Sequence, residues 1–450
     1  MLTGKRSPAG AGRPAPAHGR DDSVLLRDAD LVLTMDPFYG EGLLGTVERC
    51  DLLIREGAIA AVGGRLVAGP DTEVIDVRGK VLLPGFVDAH THLWQSAIRG
   101  RGPALGLYEW FDACVWTVVP RIPPADMYRF VRLSAADALQ SGTTTVVDWV
   151  PALEYAVSEA YLEAVSDSGV RFVHAAYQEP ADAGLAAKVL TGLVAPHPLG
   201  TPQVATVAHP DDPDHLRVHA GLARELDVHL NLHLLEHRTD RSADLVARLQ
   251  EAGGLGPKTL LNHVIHVTAA ELDLLAHRGA AVAHCPLSNM RLGTGVMPLR
   301  EIHRRGIRVG LGQDGGTNDS ADMFASMKAA VGLQRAVSLD PAGYPGPEEA
   351  LYMATMGGAR AVGQDDRIGS LTPGKRADVV VLDPAALNLA PLGARPAQIV
   401  FGGRPENVTD VFVDGVARKR AGRPTGTDPA RLVAEADAAA RTLWGGEAGR

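Results

Sequence analysis

His90 and His92 stand two apart in the segment GFVDAHTH. Side chains two apart on a strand point to one face, so both imidazoles can reach one metal ion if that strand belongs to a closed barrel. His233 lies in HLNLHLLEH, where His229 and Asn231 share its face, and Glu236 follows three residues later, where the chain is leaving the strand. His263, His284 and Asp314 stand at or near the ends of three later apolar segments. Taken singly, each histidine reads as a core side chain satisfied by a backbone carbonyl. Packing does not explain five segments that each bring His or Asp to the same end. A set of imidazoles with one carboxylate suits Zn²⁺ or Fe²⁺ better than Mg²⁺ or Ca²⁺, which prefer oxygen shells. A bound metal lowers the pKa of its water towards ~7. Asp314 can orient or deprotonate that water, and Glu236 can carry a proton to a ring nitrogen or leaving group. His263 and His284 can hydrogen-bond the oxygen on the attacked carbon or the departing group.

The elements that must hold these residues follow from the apolar pattern. Eight short apolar segments run through the middle of the chain: GFVDAH (85–90), TTTVVD (143–148), VRFVHAAY (170–177), QVATVA (203–208), DVHLNLH (227–233), TLLNHV (259–264), AAVAHC (280–285) and IRVGLGQD (307–314). Between most of them lie stretches such as ADMYRFVRLSAADALQSG and AAELDLLAHRG, with apolar residues at three- and four-residue intervals. Strand–helix alternation implies parallel βαβ units, and eight of them imply an α/β fold of the (β/α)₈ TIM-barrel type. An open doubly wound sheet is the structural alternative. Strand texture with glycines at the breaks also fills the start of the chain and returns in RADVVVLD and NVTDVFVDGVARKR. The expected organisation is therefore a disordered tail over 1–20, a small β-sandwich built from 21–84 plus 376–425, the metal-dependent barrel over 85–375, and a C-terminal helix within 426–450.

A chain of 450 residues, 46% of them hydrophobic, can bury a large core. Its net charge of −9 gives no electrostatic footprint for DNA or RNA. Three widely spaced cysteines, Cys50, Cys114 and Cys285, argue against a disulfide framework and for a reducing compartment. No apolar run reaches the ~20 residues that span a bilayer, and the first 20 residues lack the apolar core of a signal peptide, so a cytoplasmic location is expected.

The motifs PGFVDAHTHLWQSAIRG, HLLE, NHVIHV, AHCPLSN, GLGQDGG and ARAVGQDDRIGSLTPGKRADVVVLD, in that order, resemble the amidohydrolase superfamily. The resemblance runs from about residue 24 to 420. It points to the branch that holds cytosine deaminase-like proteins, triazine hydrolases and adenosylhomocysteine deaminases. It implies a barrel flanked by a β-sandwich, with a mononuclear metal held by His90, His92, His233 and Asp314. It also implies Glu236 as proton shuttle and His263 close to both metal and substrate. Binuclear relatives bridge two metals with a carboxylated lysine on the fourth strand; the third and fourth strands here contain no lysine. Homo-oligomers are common in that family, and no interface is legible in this sequence.

Some positions depart from the pattern. Gln95 resembles a glutamine that reads base edges in relatives acting on guanine, and its amide can donate and accept at once; it also reads as a plain loop residue. Trp94 can stack on a flat ring or wedge the loop. His237, Gln313 and the loop 209–214 differ from what the branch leads one to expect. GLGQDG matches a dinucleotide fingerprint only in isolation, and GSLTPGKR lacks the final Ser or Thr of a P-loop. The expected function is hydrolytic deamination of an N-heteroaromatic amine: a purine, pyrimidine, pterin or triazine-like ring. The alternatives are hydrolysis of an amide, urea, carbamate or carbon–halogen bond in the same site, and a non-catalytic scaffold. The expected cofactor is one divalent metal, Zn²⁺ with Fe²⁺ as the alternative. The expected partner is a small-molecule substrate, with neither nucleic acid nor membrane.

Overall fold

The computed structural model describes residues 23–207, 213–318, 320–391 and 395–445. The tail expected over 1–20, most of the loop 209–214 and the last five residues lie outside the described residues.

The chain begins with part of a sheet. β1 (Ser23–Leu33), β2 (Thr46–Arg55) and β3 (Ala58–Gly63) pair antiparallel in that order. β4 (Glu73–Asp76) and β5 (Val81–Pro84) both pair in parallel with β1, at Val24–Arg27 and at Leu31–Val32 respectively. Their parent stretch, EVIDVRGKVLLPG, breaks at Gly79, whose φ of +76° a residue without Cβ adopts freely.

Eight parallel strands follow, one for each apolar segment. They are β6 (Phe86–Thr91), β7 (Thr143–Val150), β8 (Arg171–Ala176), β9 (Gly200–Thr206), β10 (His229–Leu234), β11 (Thr259–His263), β12 (Ala281–His284) and β13 (Arg308–Leu311), and each pairs with the next. Both faces are apolar because both are covered. Val146, Phe172, Leu261 and Val282 pack into the cluster that includes the surrounding helices. Their chain neighbours Val147, Val173, Leu260 and Ala281 form a separate small cluster with Ala89 and Ala283.

The helices carry the expected stripe. In Pro124–Gln140, Met127, Phe130, Val131, Ala135, Ala138 and Leu139 are buried, and Pro124 opens the first turn. Ala269–Arg278 begins with a capping box between Thr268 and Glu271 and ends at Gly279 in the left-handed region.

The ring closes between β13 and β6 through a few bonds rather than a full ladder. Asp314 N donates to His90 O at 2.8 Å, and His92 N donates to Asp314 O at 3.3 Å. Asp88 Oδ1 accepts the Gln313 backbone N–H at 2.9 Å across the same seam. Gly312 permits this approach: a Cβ there would stand 2.7 Å from Cys285 Sγ and 3.0 Å from His90 Cβ.

β14 (Val379–Leu382) then returns to pair antiparallel with β5, and β15 (Val408–Val413), β16 (Val416–Arg420) and β17 (Arg423–Pro424) extend the sheet outwards. The two ends of the chain thus make one nine-stranded sheet. It has its own apolar cluster, which includes Leu26, Val32, Leu52, Leu82, Val381 and Phe412. Arg171, at the start of β8, ties the barrel to this sheet. Its Nε and Nη2 each donate to Asp378 at 2.9 Å, and Nη2 also donates to Asp414 at 2.9 Å. The final helix, Pro429–Leu443, buries Ala436, Ala439 and Leu443. Trp444 just beyond it donates its indole N–H to Ala97 O at 3.1 Å, behind the turn that carries Trp94 and Gln95. No helix among the described residues is long and apolar enough to cross a membrane.

Candidate active site

The C-terminal ends of β6, β10, β11 and the residues after β13 bring His90, His92, His233, His263 and Asp314 together. One ring nitrogen each of His90, His92 and His233 lies within 4.8 Å of the others. Atoms of His90, His263 and Asp314 meet the same limit. Asp314 Oδ1 stands 3.3 Å from His92 Nε2 and 3.7 Å from His90 Nε2. Leu235, His263, Val264 and Asp314 all have φ between +47° and +71°. Left-handed backbone is costly for a β-branched residue such as Val264, and strain of this kind gathers where a site must be held in a fixed shape.

The donor chemistry fits a metal. His92 Nδ1 lies 2.7 Å from the Trp149 carbonyl. A carbonyl only accepts, so Nδ1 carries the hydrogen and Nε2 is left with its lone pair. That lone pair faces a carboxylate oxygen at 3.3 Å, a juxtaposition that a shared metal ion would relieve. Both ring nitrogens of His90 are buried without a hydrogen-bond partner. Burial holds His90 and His233 well below the usual imidazole pKa, helped by the neighbouring rings, so both stay neutral and able to ligate.

Glu236 sits on the chain as it leaves β10. Its Oε2 is 3.4 Å from His263 Nε2, and Asn289 Nδ2 donates to both, at 3.4 Å to Glu236 Oε1 and 3.0 Å to His263 Nδ1. With Nδ1 accepting, His263 presents Nε2–H towards Glu236. Burial, then the charges of Asp314 and Asp240, push the Glu236 carboxyl well above its ordinary value. Burial lowers His263. Both shifts work against an ion pair between Glu236 and His263.

A cavity of about 660 Å³ opens over this cluster. His92, His233, Glu236, Trp94 and Gln95 line it. Gln95 Oε1 accepts the Gly316 N–H at 2.8 Å, which pins the amide to the loop after Asp314. The indole nitrogens of Trp94 and Trp149 are buried without partners. His284 is buried at the end of β12, lowered to about 3 by burial and by the neighbouring His263 ring, and it is not among the lining residues. Of the departures, His237 sets its ring 5.3 Å from Tyr108, whose hydroxyl bonds Asp240. Gln313 turns away to Asn318 and Ser326.

Three contributors escaped the sequence reading. Trp149 fixes the His92 ring and sets its own ring edge-on to His233 at 5.0 Å. Asn289 lies in AHCPLSN, where only its late position in the motif hinted at a role. Asp148 accepts the Leu93 N–H at 3.1 Å and the Tyr161 hydroxyl at 2.6 Å, bracing the turn after His92.

The Amidohydrolase family model matches residues 81–418. The chain belongs to the amidohydrolase family. A 5-methylthioadenosine/S-adenosylhomocysteine deaminase from Desulforudis audaxviator is 32% identical over 93% of this chain and 99% of its own length. Among solved structures, an adenosine deaminase from Xanthomonas campestris with bound zinc is 28% identical. It superposes with a TM-score of 0.84 over 94% of this amidohydrolase and 98% of its own chain. An atrazine chlorohydrolase from Arthrobacter aurescens complexed with zinc gives a TM-score of 0.84 at 25% identity, over 93% of this chain and all of its own. The amidohydrolase described here is a hydrolase of carbon–nitrogen bonds other than peptide bonds, with a site for a divalent metal.

Proposed function

We infer that this amidohydrolase deaminates a 6-aminopurine nucleoside by hydrolysis, with zinc as its metal. The observation that carries the reading is the acid–imidazole pair of Glu236 and His263, set 3.4 Å apart at the edge of the histidine–aspartate cluster and opening into an aromatic-walled cavity. A relative named for methylthioadenosine and adenosylhomocysteine, and a solved relative named for adenosine, support the purine ring.

His90, His92, His233 and Asp314 would hold the metal. When bound, it acidifies a water and so supplies the nucleophile at neutral pH. Asp314 Oδ1 is the base that takes the water's proton. Glu236 carries a proton on its buried carboxyl and gives it to the ring nitrogen next to the attacked carbon. The imidazole of His263, its Nε2–H turned towards Glu236, positions that carboxyl for the transfer. Glu236, now a carboxylate, takes the proton of the new hydroxyl and passes it to the amine, the carbon–nitrogen bond breaks, ammonia leaves, and the proton held by Asp314 returns to Glu236. Trp94 and Trp149 bound the ring with their apolar surfaces.

The test is ammonia release by zinc-loaded enzyme across aminopurine nucleosides, pterins, pyrimidines and triazines. Adenosine-type substrates are expected to release ammonia, and Glu236→Gln is expected to cut the rate by ~10²–10⁴-fold. Halide or alcohol released from triazines, with no ammonia from any purine, would instead place the enzyme with the triazine hydrolases.

A further inference from the structure

The cavity wall has a one-sided charge. Asp112, Glu179, Glu236 and Asp240 line it, and no lysine or arginine does so among the described residues. Glu236 is buried with the reacting groups, whereas Asp112 and Glu179 are exposed and Asp240 is half-buried, so these three belong to the mouth. Aromatic faces stand among them. Trp149 stacks on Tyr177 at 5.5 Å, Phe111 stacks on Trp116 at 6.0 Å, and all four line the cavity. The Tyr177 hydroxyl donates to Glu179 Oε1 at 3.0 Å and holds that carboxylate at the wall.

Carboxylates set between ring faces favour a cation through both charge and the ring quadrupole. An uncharged arm finds apolar surface in Phe111, Val115 and Leu245. A carboxylate or phosphate at the same place finds like charge and no cationic partner, which costs affinity and slows encounter.

We propose that the site selects heteroaromatic amines whose outward substituent is uncharged or cationic, and that Asp112, Glu179 and Asp240 set this preference against carboxylate- or phosphate-bearing substrates. The proposal rests on the deaminase reading and narrows it. Of the two compounds in the Desulforudis relative's name, methylthioadenosine has an uncharged arm and fits this preference, whereas adenosylhomocysteine carries both an ammonium and a carboxylate.

Three adenosine analogues that differ only at the 5′ position test it on the zinc-loaded enzyme: 5′-amino-5′-deoxyadenosine, 5′-deoxyadenosine and adenosine 5′-monophosphate. The expected kcat/KM of the first two exceeds that of the phosphate by about tenfold or more, and the advantage of the amine shrinks as salt is raised. The double variant Asp112→Asn, Glu179→Gln is expected to pull the amine-to-neutral ratio towards one. A phosphate substrate within about twofold of 5′-deoxyadenosine, or a ratio that ignores the double variant, would overturn the proposal. If none of the three releases ammonia, the deaminase reading falls by itself. Equilibrium binding of the same three to the zinc-loaded protein then decides the charge preference, and tightest binding of the phosphate overturns it.

Discussion

Two buried clusters of charged and titratable side chains lie at opposite ends of the barrel strands, and they are built on different terms. At the start of β8, Arg171 meets Asp378 and Asp414 in three bonds of 2.9 Å, with Arg171 and Asp378 both only 3% exposed. Its donors and acceptors are matched. At the other end, His90 has no partner at either nitrogen, His263 Nε2 has none, and His92 Nε2 faces a carboxylate across 3.3 Å. The backbone beneath is held in left-handed conformations at His263, Val264 and Asp314. A cluster that serves the fold completes itself. One that serves chemistry keeps its valences open for something that is not protein, and the surrounding structure bears the cost.

That contrast can be broken at either end. The largest effect on activity is expected at the open cluster. Glu236→Gln should lower kcat by ~10²–10⁴-fold while leaving the urea midpoint unchanged or raised, because the buried carboxyl already gains by losing its charge. A large loss of stability in this variant would mean that Glu236 serves the fold. The reverse is expected at the matched cluster. Asp378→Ala leaves the buried guanidinium with Asp414 alone and should cost about 3–5 kcal/mol in urea unfolding, with kcat per folded molecule unchanged.

Asn289→Ala sharpens the comparison within the site. Loss of its two donated bonds should lower kcat by roughly tenfold, in line with hydrogen bonds worth ~1 kcal/mol each, and should shift the acidic limb of the pH–rate profile as His263 changes tautomer. A profile that does not move would make Asn289 a packing residue.

The smallest effect is on stability against pH. His174 and His229 are lowered by burial to about 3 and about 4, against ~6.5 in the unfolded chain. Between those values the unfolded chain binds more protons, so stability is full above ~6.5 and falls as the pH drops towards 4. Asp148, pushed up to about 6 by burial, works the other way over the lower part of that window. His174→Gln should flatten the fall in the urea midpoint, and an unchanged slope would remove His174 from the account.

The sequence carried some of this and withheld the rest for identifiable reasons. All eight barrel strands were legible because strands covered on both faces read as unbroken apolar runs. His90, His92, His233, His263 and Asp314 drew notice because each stands at or near the end of such a run, and the fold gathers them. The joining of the two ends into one small unit was legible from their shared strand texture, whereas the strand order, with β14 against β5, was not. Trp149 acts on His92 through its backbone carbonyl, which every residue possesses, so its identity gave no signal. Asn289 depends on a helix that begins at Pro286 and turns its amide back over Glu236 and His263, a geometry no spacing reveals. The acidic mouth is assembled from loops after different strands, and only their meeting makes the charge visible.

The central claim is that the open cluster is a single metal site that runs the deamination. Metal-free enzyme titrated with Zn²⁺, with ammonia release from an adenosine-type substrate followed at each addition, tests it most directly. Activity is predicted to rise linearly and level off at one zinc per chain, and His90→Ala should abolish both the binding and the rise. Full activity before any zinc is added, or a plateau at two zinc per chain, would contradict it.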